Sequence, residues 1–130
     1  MLAKGLFTLD LQADLNFPVR PLLLKRALNN LLDNAVKYGG GEIAVRVKQE
    51  GATVAISVAD SGTGIPLAQR EMAKRPFVRL QAARSDTTGA GLGLAIVERA
   101  ARLHGGELVL AESATGGLLA TLRLPLRSLA

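Results

Sequence analysis

Cysteine and tryptophan are missing from this chain, histidine occurs once, and the aromatic complement is three phenylalanines and one tyrosine. Without cysteine there are no disulfides, no thiolate zinc site and no cysteine nucleophile, and a single imidazole, His104, cannot build a histidine metal cluster. Any bound metal is therefore expected to take oxygen ligands, magnesium first. The formal charge of +5 and pI near 10.2 invite a nucleic-acid reading. No aromatic-rich strand is present on which bases could stack, so no nucleic-acid partner is expected, and the same charge could serve nucleotide phosphates. No apolar run approaches the roughly 18 to 20 residues that a membrane span needs. Met-Leu-Ala-Lys-Gly-Leu-Phe-Thr at the start is not a signal-peptide pattern, so these residues are expected in the cytoplasm.

What is present is a globular composition, 48% hydrophobic and 21% charged, over 130 residues suited to one domain spanning 1–130. The spacing predicts a strand over 6–12, closed off by Pro18 and Pro21. Pro21 suits a first helical turn, and Leu24, Leu28, Leu31 and Ala35 recur on one helical face until Gly39-Gly40-Gly41. Ile43/Val45/Val47 and Val54/Ile56/Val58 alternate on either side of Glu50-Gly51, which predicts a hairpin. A short helix is expected over 66–74, an irregular polar stretch over 75–90, and a helix over 91–103 stopped by Gly105-Gly106. Strands over 107–111 and 118–124 follow, joined across Thr115-Gly116-Gly117. Paired strands with helices between them predict an α+β protein. The expected architecture is a two-layer sandwich with one mixed sheet, helices on one face, and a solvated opposite face carrying Arg46, Lys48, Ser57 and Arg123.

Three features do not read as scaffold alone. Thr88-Gly89-Ala90-Gly91-Leu92-Gly93-Leu94 sets glycines on alternate positions before a helix, so backbone N–H groups can face one side and join the positive end of the helix dipole, as phosphate binding requires. Asn30 and Asn34 lie four apart on the first helix, with Lys37 and Tyr38 continuing a polar stripe beside the apolar one. In the strand ending at Ala59, the inward phase of Val54, Ile56 and Val58 continues onto Asp60. A carboxylate entering an apolar layer requires hydrogen-bond donors. The donor could be an adenine amino group, or Asp60 could cap the turn Ser61-Gly62-Thr63-Gly64.

Taken together, Asn30-Leu-Leu-Asp-Asn34-Ala-Val-Lys37-Tyr38, Asp60-Ser-Gly62-Thr-Gly64-Ile65-Pro, Pro76-Phe77-Val-Arg79 and Gly89-Ala-Gly91-Leu92-Gly93-Leu94 resemble the N, G1, F and G2 boxes of sensor histidine kinases, in that family's order. The resemblance implies the Bergerat-type (GHKL) ATP-binding fold, with mostly antiparallel strands, ATP and Mg2+ as ligands, and an ATP lid at about 78–90 that holds Arg79 and Arg84. It implies a catalytic set of Asn30, Asn34 and Lys37, with Asn34 as the magnesium ligand and Asn30 supporting it. Lys37 would reach a phosphate and Tyr38 would pack beside base or ribose. Asp60 would accept from the adenine amino group, which guanine lacks at that position. Gly62, Gly64 and Ile65 would line the purine, Phe77 would anchor one end of the lid that holds Arg79, and Thr88, Gly89, Gly91, Leu92, Gly93 and Leu94 would hold the phosphates.

Related ATPases of this fold resemble one another in placing a glutamate one turn before the metal-binding Asn. Asn30 stands there in this chain, and an amide cannot take a proton from water, so transfer to a protein nucleophile is expected rather than hydrolysis. His104 sits at a helix end, where it is expected to cap the terminus and interact favourably with the helix dipole. With no second histidine, the phosphoacceptor is expected on a separate histidine-bearing dimerisation domain of the same kinase. A response regulator would follow indirectly, the isolated chain would be monomeric, and the longer protein would be anchored in the bacterial inner membrane by segments outside this sequence. A stand-alone serine kinase of the anti-sigma type, which shares this fold and a similar length, is one alternative reading; Lys74, where the F box commonly has an aromatic, and Ala90, where the glycine loop often has Thr or Ser, keep open another, an ATP-binding module without catalysis.

Overall fold

The computed structural model describes residues 6–11, 19–39, 41–75 and 93–126, with only the backbone course given for 6–11, 38 and 39. Five strands, β1 (Leu6–Leu11), β2 (Glu42–Glu50), β3 (Thr53–Ala59), β4 (Glu107–Glu112) and β5 (Leu118–Pro125), form one sheet in the order β1-β2-β3-β5-β4. β1 runs parallel to β2, and the other three pairs are antiparallel. The parallel pair needs a long crossover, and α1 (Pro21–Gly39) lies within it. The mixed, mostly antiparallel sheet matches the expectation from sequence.

β3 is central because its inward residues are apolar throughout. Val54, Ile56 and Val58 are buried, opposite Gln49, Val47 and Val45 of β2 and Leu124, Leu122 and Ala120 of β5. On α1, Ala27, Leu31 and Ala35 are buried at four-residue spacing, and α3 (Gly93–Leu103) turns Val97, Ala100 and Ala101 to the same core. Small residues on the facing sides let the two helices pack on each other and on the sheet. The stretch expected as one short helix is two pieces, a 3-10 turn at Leu67–Gln69 and α2 (Arg70–Ala73). Gln69 N–H bonds the Pro66 carbonyl three residues back, which tightens the turn before α2 begins.

α3 ends as Gly105-Gly106 predicts. Gly105 N–H donates to Arg102 O and Gly106 N–H to Ala101 O, with Gly105 at φ 82°. His104 caps the terminus as expected and also bridges to α1. It is only 1% exposed, its Nδ1–H donates to Ala100 O at 2.8 Å, and Nε2 accepts the Arg20 N–H at 2.9 Å. A ring nitrogen that accepts an N–H carries no proton, so the imidazole is neutral and fastens the start of α1 to the end of α3 through hydrogen bonds instead of through a charge on the helix dipole.

Among the described residues nothing covers the opposite face of the sheet. Arg46, Lys48 and Arg123 are exposed there and Ser57 is half-buried, around a shallow basin of about 240 Å³. Among the described residues no helix is long and apolar enough to cross a membrane.

Candidate functional site

Among the described residues, the helix-covered side holds Asp60 and the asparagines of α1 singled out by sequence. Asp60 follows the last residue of β3, is 3% exposed, and points into the layer as the strand phase predicts. Its Oδ1 accepts two backbone N–H groups at 3.0 Å, from Gly62 and from Leu118 at the start of β5. Its own N–H donates to Leu118 O at 2.9 Å. Of the two readings of Asp60 from sequence, the turn cap is realised at Gly62, in a side chain that is buried as its strand phase predicts. The Leu118 amide was not foreseen.

A second layer of contacts holds the same residue from behind. Ser113 Oγ donates to Asp60 O at 2.7 Å and accepts from Gly117 N–H at 2.9 Å, while Thr115 Oγ1 donates to Asp60 O at 3.2 Å. Gly117 lies so close that a Cβ there would collide with the Asp60 carbonyl and Oδ1. A Cβ on Gly64 would in turn press on the carbonyls of Gly116 and Gly117, 3.1 Å away. The G1 turn and the β4–β5 connection are thus interlocked through glycines. Their closeness accounts for Gly64 by packing, whatever ligand lies beyond it. Ile65 is buried in the hydrophobic core, and its carbonyl accepts from Arg70 Nε at 2.9 Å.

Across the layer, Asn30 and Asn34 are half-buried on the flank of α1, and Lys37 is exposed one turn on. Asn30 Nδ2 donates to Arg26 O at 2.8 Å, which turns its Oδ1 toward α3, 4.0 Å from where a Cβ on Gly93 would stand. The N-box flank and the N-terminal end of α3 therefore meet. Gly93 is exposed, and Leu94 packs on the core. The backbone of Tyr38 belongs to α1. Phe77, Arg79, Arg84, Thr88, Gly89, Gly91 and Leu92, with the lid expected over 78–90, lie outside the described residues.

The donor set suits magnesium. Asn30 and Asn34 present neutral, hard amide oxygens on one helix flank, which complement an ion that shares phosphate oxygens. Among the described residues no three His, Cys, Asp or Glu side chains gather to offer an alternative metal site. Sequence reasoning missed Ser113, Thr115 and Gly117. Their signal was present as a Ser-X-Thr-Gly-Gly connection, but its link to Asp60 depends on β5 pairing with β3, which local pattern does not reveal.

Comparison with known proteins identifies the family and the fold. The family described as histidine kinase-, DNA gyrase B-, and HSP90-like ATPase matches residues 19–128. Sensor histidine kinase GtrS of Pseudomonas aeruginosa is 43% identical over 110 residues, covering 84% of this chain and 22% of that protein. Signal transduction histidine-protein kinase AfsQ2 of Streptomyces coelicolor is 36% identical over 117 residues, covering 90% and 22%. Among solved structures, the mycobacterial sensor histidine kinase MprB superposes with a TM-score of 0.85 at 31% identity, covering 97% of this chain and 86% of that one. Full-length ShkA in complex with AMPPNP matches with a TM-score of 0.80 at 26% identity, covering 96% of this chain and 26% of that one. The chain thus spans about a fifth of the length of these curated relatives.

Proposed function

The chain belongs to the histidine kinase-, DNA gyrase B-, and HSP90-like ATPase family, and from that premise we propose that it binds Mg-ATP and passes the γ-phosphoryl group to a histidine on a separate dimerisation domain of a sensor kinase. The observation that carries the reading is the buried Asp60 carboxylate, held at the end of β3 by two backbone amides. An acceptor so fixed and so desolvated favours a ligand amino group over a ligand carbonyl, and therefore adenine over guanine. The AMPPNP complex of ShkA and the names of the relatives support the same ligand class.

On this reading Asn34 holds the magnesium ion through its amide oxygen, and Asn30, oriented by Arg26 O, supports it. When bound, the ion neutralises phosphate charge. Lys37 adds a cation at the exposed end of α1, and the first turn of α3 presents backbone N–H groups to the phosphates. An N–P bond forms to the incoming imidazole as the bond to the bridging β,γ oxygen breaks, so the chain's work is positioning and charge stabilisation. No general base is required, because a neutral imidazole nitrogen brings its own lone pair. Asn30 cannot supply one to water, which disfavours hydrolysis. The parent protein is read as a bacterial two-component sensor held at the inner membrane by segments outside this chain, with a response regulator as the final acceptor.

The test is incubation with γ-labelled ATP. The chain alone stays unlabelled; added to a separately produced histidine-bearing helix-pair domain, it labels that domain, and Asn34→Ala abolishes the transfer. Label on His104, whose two ring nitrogens are both engaged inside the fold, would overturn the assignment.

A further inference from the structure

We infer that Ser113 is a positioning residue for nucleotide selectivity, acting through Asp60, and that this serine and the β4–β5 connection fix the adenine-reading carboxylate. The inference rests on the nucleotide reading above and deepens it. Asp60 stands at a strand end followed by a glycine-rich turn, where a carboxylate has several rotamers open to it. Within the described residues, part of what removes that freedom comes from a connection 53 to 58 positions further along the chain.

Ser113 works in two directions. Its Oγ donates to the Asp60 carbonyl at 2.7 Å, which fixes the backbone of the acid, and accepts the Gly117 N–H at 2.9 Å, while its own N–H reaches Gly117 O at 2.9 Å. The second pair of bonds pins the turn that delivers the next amide, Leu118 N–H, to Asp60 Oδ1. One hydroxyl therefore sets both the origin and the plane of the carboxylate. Ser113 is buried, so loss of its oxygen leaves the Gly117 N–H without an acceptor in a place that water does not readily reach. Thr115 Oγ1 makes a weaker parallel contact with Asp60 O at 3.2 Å and bridges to Ser61 Oγ at 3.3 Å.

A carboxylate free to rotate still attracts donors but discriminates poorly, because the penalty against guanine depends on holding an acceptor where the wrong base puts another acceptor. The experiment measures Kd for Mg-ATP and Mg-GTP by calorimetry on folded wild type, Ser113→Ala, Ser113→Thr and Thr115→Val, with melting curves to confirm folding. Ser113→Ala is expected to weaken ATP about tenfold and GTP by less than about twofold, collapsing the selectivity ratio, whereas Ser113→Thr keeps the hydroxyl and most of the ratio. A merely structural role would weaken both nucleotides together. Should Ser113→Ala not fold, the exposed Thr115 carries the test, with Thr115→Val expected to lower the ratio about threefold. An unchanged ratio in a folded variant, or equal loss in the alanine and threonine variants, overturns the inference. Wild type that binds neither nucleotide would instead sink the nucleotide reading on which it stands.

Discussion

At the scale of single residues, Asp60 is bonded into the fold and is also the proposed reader of the base, and the two roles can be separated by substitution. Asp60→Asn keeps the shape and an oxygen acceptor for the Gly62 and Leu118 amides but removes the charge, so the fold should survive while ATP binding weakens about 10- to 100-fold in calorimetry. Asp60→Ala strands both amides and should cost about 1–3 kcal/mol of stability in urea denaturation as well. The inward direction of Asp60 was legible in the sequence because strand phase is local: three alternating apolar residues determine the face of the next one. Its donors were only half legible. The Gly62 amide is two residues away, whereas the Leu118 amide arrives by long-range pairing.

At the scale of elements, the proposed chemistry depends on how two helices meet. α1 carries the asparagines and α3 opens at Gly93, and their contact at the site end is matched at the far end by His104, which bonds both Arg20 N–H and Ala100 O. His104→Ala removes both bonds and the ring, and is expected to lower stability by about 2–5 kcal/mol, read as a fall in the urea midpoint. The periodicity of Ala27, Leu31 and Ala35 made the buried face of α1 readable. The cap at His104 was readable from the Leu-His-Gly-Gly terminus, but its bridge to α1 was not, because that depends on where Arg20 lies. A comparable limit applies to the 66–74 stretch, where composition allowed a helix but the Pro66 to Gln69 bond tightened its first turn.

For the whole molecule, one apolar layer between helices and sheet supports everything that the site does. Leu122 of β5 is fully buried opposite Ile56, and Leu122→Ala should cost about 2–5 kcal/mol by emptying part of that layer, measured by chemical denaturation. A ligand that binds only the folded chain must stabilise it, by about 2.7 kcal/mol at one hundred times its Kd. Mg-ATP should therefore raise the melting temperature by several degrees, GTP much less, and Asn34→Ala should abolish most of the ATP effect. The uncovered sheet face should matter little to stability: Glu50 and Arg123 face each other across solvent at 4.0 Å, and Glu50→Gln is expected to change stability by less than about 1 kcal/mol in the same assay.

The order of elements, the phase of each strand, the buried stripe of each helix and the spaced boxes of polar and glycine residues were all determined by the sequence itself, because each depends on neighbours within one or two turns of chain. Tertiary structure alone decided that β5 would lie against β3, and hence that Ser113, Thr115 and Gly117 would brace Asp60, that Asn30 would turn its oxygen toward Gly93, and that His104 would be neutral. These arrangements join residues many tens of positions apart. What brings them together is burial of a shared apolar layer, a nondirectional force, and the hydrogen bonds then select the one register in which the enclosed polar groups are satisfied.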